Sequence, residues 1–277
     1  MSFRSFVLGW IPPTLLSLIR RLLNYLRPAP WQYVIDGWQT PLKTRGWNLH
    51  SIAQIQLKKW GEYSAIVAST RPLGINHEDT TISEKNIIAH NLMMTFAYVL
   101  SLNSRNCQQP TLLDWGGGIG HYGLLAKHII EETTYFCYDL PELCKIGRQV
   151  FPEGCFFDNR EEVFKYNYDL VYAGSSLWYD EQWKETASRL CNVTNHYLCV
   201  NKMIFVDNVP SFVAIQRPRG IYDTEYLCWI FNKTEFVDYI EQQGFRLVRE
   251  LLIDQSPYIF KAPEQGTIAG FLFKKLS

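Results

Sequence analysis

Residues 111–123, Thr-Leu-Leu-Asp-Trp-Gly-Gly-Gly-Ile-Gly-His-Tyr-Gly, restrict the fold more than any other stretch of the chain. A short apolar run closes on Asp114, passes through Gly116, Gly117, Gly118 and Gly120, and enters a helical pattern. A strand that runs through a glycine-rich turn into a helix N-terminus is a cradle for the polar part of a nucleotide-like ligand. The glycines let the backbone approach closely, and the first helical N–H groups point at the ligand. About twenty residues further on, Tyr135-Phe136-Cys137-Tyr138 leads into Asp139, where an acid at the end of a second strand would accept from a ribose diol. A glycine-rich turn with no ligand is the plain alternative, and the two acids at this spacing weigh against it.

Two cofactor patterns overlap here. Gly118-x-Gly120-x-x-Gly123 satisfies the dinucleotide spacing, and Asp114-x-Gly116-x-Gly118-x-Gly120 satisfies that of S-adenosylmethionine enzymes. An acid closing the first strand favours the second, because a pyrophosphate would sit beside its negative charge. The late start of the motif suits an N-terminal cap. The end of the chain agrees: Gln243-Gly244-Phe245 follows a helical pattern, Arg246–Ile253 reads as a strand, and Thr267–Lys274 reads as a last one. That resembles the closing antiparallel hairpin of the seven-stranded class I methyltransferase sheet.

Alternating patterns predict strands at 111–114, 134–138, 155–157, 168–173, 197–201, 245–253 and 268–274. Helices fall between them at about 121–131, 141–150, 160–164, 181–192 and 233–243, the last capped by Asn232 or Thr234. The expected fold is α/β: a Rossmann-like, seven-stranded, mostly parallel sheet with helices on both faces and a helical N-terminal cap. Helices are also expected around Ser51–Gly61 and Ser83–Leu102. The division is 1–30 as an apolar-basic segment, 31–105 as the helical cap and 106–277 as the cofactor-binding domain. The stretch 202–231 is too long for a simple connection and is expected to cover the site.

Composition narrows the partners. Lys plus Arg and Asp plus Glu balance at 27 each, so no global field attracts nucleic acid. Seven cysteines without a C-x-x-C pair argue against a disulfide framework or zinc site and suit a reducing cytoplasm. Cys137, Cys155 and Cys199 are expected as small buried groups in strands. No His/Asp/Glu set has metal-ligand spacing. Residues 1–27 mix Leu and aromatic residues with Arg4, Arg20, Arg21 and Arg27, and contain no acid. A helix over about Leu15–Leu26 has two readings of equal weight. One is peripheral contact with an anionic inner membrane face; the other is packing on the catalytic domain or on a second copy in a homodimer.

The site candidates follow from the expected strand ends. Asp114, Gly116, Gly118 and Gly120 would hold the methionine end and the turn of S-adenosylmethionine. Asp139 with Leu140 would hold the ribose, and Asp158 or Asn159 the adenine amino group. Asp158 reads equally well as a helix cap. Gly174 and Ser175, after the fourth strand, leave room beneath a reacting methyl. Asp169 reads as the start of that strand.

The motifs DWGGGIG, YDLPELC and SLWYDEQW are similar to small-molecule O-methyltransferases of the caffeate type. That resemblance implies a histidine base two residues before the Trp, but Ser176 stands there, so the base does not carry over. Over nearly the whole chain, AIQRPRGIYDTEYLCWIFNKTEF together with the apolar-basic start and the Trp-rich region resembles a family of class I methyltransferases associated with bacterial surface-polysaccharide gene clusters. This implies an S-adenosylmethionine-dependent methyltransferase O-methylating a saccharide or related small molecule in envelope polysaccharide biosynthesis. Gln216, Arg217 and Tyr222 would face the acceptor, with Trp178 or Trp229 stacking on a sugar face. The alternative for Arg217 is a lid salt bridge to Asp223 or Glu225. His121 is the histidine nearest the turn, with packing favoured over catalysis; His77, His90 and Asp223 are further candidates for the base. A nicotinamide-dependent oxidoreductase and a catalytically inactive binding module are the rival functions.

Overall fold

The structure is a computed structural model that describes residues 28–43, 46–47, 50–75, 86–105, 107–218, 224–253 and 256–276. The expected helix at Leu15–Leu26, the start of the expected helix at Ser83, and Tyr222, Asp223 and His77 lie outside the described residues. In chain order the described elements are β1 (Trp31–Tyr33), α1 (His50–Val67), α2 (Ile87–Ser104), β2 (Thr111–Trp115), α3 (His121–Ile129), β3 (Thr134–Tyr138) and α4 (Pro141–Val150). Then come β4 (Cys155–Phe157), α5 (Arg160–Val163), β5 (Tyr168–Gly174), α6 (Trp183–Val193), β6 (Thr194–Val206), β7 (Phe212–Gln216), β8 (Tyr226–Asn232), α7 (Lys233–Gln242), β9 (Phe245–Leu252) and β10 (Thr267–Lys275).

One sheet organises the molecule. Seven strands run in the order β4-β3-β2-β5-β6-β10-β9, parallel as far as β6, with β10 antiparallel to both its neighbours. The strand period of two separates the two faces. Leu112, Leu170, Tyr172 and Cys199 pack with Tyr63, Phe96, Val99, Leu125 and Cys144 of α1 to α4. Leu113, Val171, Ala173, Leu198 and Val200 pack with Val163, Leu190, Phe236 and Ile240 of α5 to α7 on the other face. Each fully buried Phe in these layers contributes roughly 1.5–3 kcal/mol by leaving water.

Strand starts are tied by side chains as well as by the ladder. Asp169 Oδ2 accepts from both Thr111 N–H and Thr111 Oγ1 at 2.9 Å, which fixes the register of β2 against β5. Asn232 accepts from Glu235 N–H at 2.9 Å and so ends β8 and starts α7 at one residue. Asn86 caps α2 in the same way through Ala89 N–H.

Three further strands extend the sheet beyond the seven. β6 was expected at 197–201 and is thirteen residues long. Its edges explain the length: β10 pairs with residues 197–205, while β5 occupies the other edge only as far as Asn201. The edge left open beyond Asn201 receives β8 at Phe205 and Val206. β8 forms an antiparallel hairpin with β7, and β1 pairs with β7 at the outside. The stretch 202–231 is therefore mostly sheet, laid past the carboxyl end of β5. Cys155 departs from its expected burial: it opens β4 and is exposed, whereas Cys137 and Cys199 are buried. No helix of the described residues is long and apolar enough to cross a membrane.

Candidate functional site

A cavity of about 270 Å³ opens at the carboxyl ends of β2, β3 and β5, where a parallel sheet leaves a crevice for ligands. Its floor is the glycine turn. Gly116 has φ +80° and Gly118 φ +62°, a region that L side chains rarely adopt. A Cβ on Gly116 would lie 2.4 Å from Ser176 Cβ, so the close approach of the two loops requires glycine there. Gly120, at φ +101°, plays a different part. It precedes the first turn of α3 and backs onto Phe151 and Phe156, and it does not line the cavity.

Both acids of the turn face the cavity. Asp114 is buried, and Tyr135 Oη donates to its Oδ2 at 2.8 Å. Burial pushes its carboxyl up to about 7, against the lowering effect of the Tyr135 hydrogen bond. Asp139 accepts from Gly118 N–H and Leu140 N–H, each at 2.7 Å. Burial raises it to about 6, opposed by those two backbone bonds. A carboxylate has about four acceptor positions, so Asp139 keeps capacity for a ligand.

Leu140, Gly174 and Ser175 also line the cavity, with Leu143 and the Ser176 hydroxyl. Ser176 Oγ donates to the Trp115 carbonyl and holds the β5 loop against the turn. Ser175 has a left-handed backbone at φ +62°, and Lys202, across the β5–β6 ladder, has φ +57°. Such conformations in non-glycine residues concentrate at functional sites, and both residues line the cavity.

The expected adenine contacts are not brought to this place. Asp158 pairs with Arg148 at 3.0 Å, half-exposed, and Asn159 caps α5 by accepting from Glu161 N–H. Neither lines the cavity. The helix cap considered for Asp158 belongs to its neighbour.

Of the expected acceptor residues, Tyr222 lies outside the described residues, and Trp178, Gln216, Arg217 and Trp229 do not line the cavity. Arg217 Nε donates to Glu225 Oε1 at 2.7 Å, and its Nη1 donates to the Ala29 carbonyl and to Gln32 Oε1 at 3.2 Å. That is the lid salt bridge, and it clips β7 to β1. Trp178 is buried, with its indole N–H on the Ser175 carbonyl. Trp229 donates to the Asp180 and Glu181 carbonyls and packs on Trp38. Gln216 accepts from Tyr179 Oη at 2.6 Å and so orients a ring that does line the cavity.

Other residues form the second half of the cavity. Trp47, Tyr122, Tyr172 and Tyr179 line it together with Ile88, Leu92 and Lys202. Trp47 stacks on Tyr226 at 4.1 Å and meets Tyr179 edge-on at 5.1 Å. Tyr172 Oη accepts from Asn201 Nδ2 at 3.1 Å, and burial holds the Tyr172 phenol well above its ordinary range, so it remains protonated. His121 opens α3, buried, with its ring 4.8 Å from Tyr63 and 5.4 Å from Trp60. That is the packing arrangement, and the ring also borders the cavity. Among the described residues no group of three or more His, Cys, Asp or Glu is placed to hold a metal ion.

No family model matches the sequence, and no curated protein matches it. Solved structures do match. A protein from Galdieria sulphuraria, proposed to be a sarcosine dimethylglycine methyltransferase, is 11% identical over 80% of this chain and 98% of its own, with a TM-score of 0.51. The magnesium protoporphyrin IX methyltransferase from Synechocystis is 10% identical, covering 81% and 98%, at 0.47. An amino pentose methyltransferase from Micromonospora echinaspora is 12% identical, covering 72% and 100%, at 0.46. The chain therefore has the Rossmann-like class I methyltransferase fold, with its closing hairpin, and carries three strands beyond the seven expected.

Proposed function

We propose that the chain is an S-adenosylmethionine-dependent methyltransferase whose acceptor is a saccharide or related small molecule bearing a hydroxyl. One observation carries the reading: the glycine turn with Asp114 and Asp139 shares a single cavity with an aromatic, hydroxyl-rich half. The residues present fit the cofactor. The backbone at Gly116–Gly118 can approach it closely, and Asp139 has acceptor capacity for a diol. Asp114 supplies a carboxylate that a positive ligand would keep ionised. S-adenosylmethionine, when bound, supplies an electrophilic methyl group on a sulfonium.

The chain's own residues do the rest. Trp47 and Tyr179 offer flat faces to a sugar ring, and the Tyr172 and Tyr122 hydroxyls can bond its substituents. Gln216, at the end of β7, accepts from Tyr179 Oη and so holds that cavity-lining ring in place. Ser176 is committed to the Trp115 carbonyl and takes no proton. The resemblance to the surface-polysaccharide family supports a role in envelope biosynthesis, and the seven cysteines, none of them in a disulfide, suit a reducing compartment.

The test is transfer of an isotopically labelled methyl group to panels of saccharides and of phenols. Labelled saccharide is the expected product. Label on phenols alone would move the acceptor to the caffeate class.

A further inference from the structure

Helix α1 turns Ile52, Ala53, Tyr63, Ile66 and Val67 toward the interior together with two polar residues, Lys59 and Gln56. Gln56 is only 6% exposed, and its Oε1 has no hydrogen-bond partner among the described residues. A buried amide oxygen without a donor has lost its hydration and gained nothing in return. Gln56 also lines the cavity, so a donor for it can come from a ligand.

Its position narrows the kind of donor. A Cβ on Gly118 would lie 2.9 Å from Gln56 Oε1, and the N–H of the same glycine reaches Asp139 Oδ2 at 2.7 Å. Two acceptors, one amide and one carboxylate, thus flank a single glycine and cannot satisfy each other. The ligand chemistry that matches a pair of neighbouring acceptors is a pair of neighbouring hydroxyls.

Resting on the adenosyl reading above, we infer that Gln56 and Asp139 clasp the ribose diol of the cofactor between them, Gln56 Oε1 accepting from one hydroxyl and Asp139 from the other. Helix α1 is then part of the cofactor site. The sheet supplies one wall of the nucleoside pocket and this helix supplies the facing one.

Calorimetric titration of the full chain with S-adenosylhomocysteine and with its 2′,3′-dideoxy analogue tests this, using wild type and Gln56→Met. The substitution should weaken S-adenosylhomocysteine by roughly three- to thirty-fold and leave the dideoxy analogue unchanged, as loss of one hydrogen bond to a hydroxyl requires. The ligand-free variant should melt no lower than wild type, because the unsatisfied oxygen is gone. Unchanged affinity for S-adenosylhomocysteine, equal weakening of both ligands, or a lower melting point without ligand would each overturn the role of Gln56. A wild-type protein that binds neither ligand would overturn the adenosyl reading itself, which separates the two failures.

Discussion

Tyr135 Oη donates to Asp114 Oδ2 across 2.8 Å between two buried side chains, and it is the only donor to that carboxylate among the described residues. One neutral donor does not replace a hydration shell, so the Asp114 carboxyl stays up at about 7, with Asp139 at about 6.

The consequence is a pH dependence of known sign. Both acids have an ordinary value of 3.8, so between there and about 7 the folded chain holds protons that the unfolded chain has released. Stability from these groups therefore falls as pH rises through that window. Asp114→Asn should flatten the fall and stabilise the ligand-free protein at neutral pH by about 1–3 kcal/mol, read by urea unfolding across pH. A variant with an unchanged pH profile would mean that Asp114 is already ionised at low pH.

Arg217 should matter for stability rather than for ligand affinity. Its guanidinium pairs with Glu225, the two side chains 19% and 11% exposed, and also donates to the Ala29 carbonyl and to Gln32 Oε1. Arg217→Ala leaves Glu225 without that partner and should lower stability by about 1–3 kcal/mol, with S-adenosylhomocysteine affinity retained. Urea melts and calorimetry on the same preparation check both halves. Normal stability with a raised acceptor KM would return Arg217 to the acceptor site.

These two cases mark how far the sequence reaches. Apolar runs bounded by Gly, Asp and Asn located β2, β3, β4 and β5 to within about a residue, because strands inside a parallel sheet have little choice of pattern, and the resemblance to the closing antiparallel hairpin located β9 and β10 as closely. Phe212–Gln216 and Tyr226–Asn232 are runs of the same kind, yet their pairing depends on an edge that β6 exposes only beyond Asn201. Asp114, Gly116, Gly118 and Asp139 were legible because the turn that brings them together is local. Gln56, Trp47 and Lys202 were not, since only the folding of distant helices and loops onto that turn brings them to the cavity. A polar Gln at a buried position of the α1 stripe was the one signal that could have found Gln56.

The glycines of the turn should separate under substitution. Gly118→Ala sets a Cβ against Gln56 Oε1 at φ +62° and should weaken S-adenosylhomocysteine at least about tenfold, since the turn must shift. Gly120→Ala meets Phe156 and Phe151 instead, and should lower the melting temperature with a smaller effect on affinity among molecules that remain folded. Thermal melts with and without ligand distinguish them.

On the acceptor side, Trp47→Ala removes a cavity-lining ring that is itself held by stacking on Tyr226. It should raise the acceptor KM by roughly tenfold, on the order of one aromatic contact, and leave cofactor affinity alone. Steady-state kinetics with the labelled methyl group measure this. An equal loss of cofactor affinity would place Trp47 in the other half of the cavity.

Calorimetric titration of the wild-type chain with S-adenosylhomocysteine and, separately, with NAD puts the whole reading at risk. Saturable heat with S-adenosylhomocysteine, weakened by roughly 1–3 kcal/mol in Asp139→Ala, is the expected result. Heat with NAD and none with S-adenosylhomocysteine would contradict it.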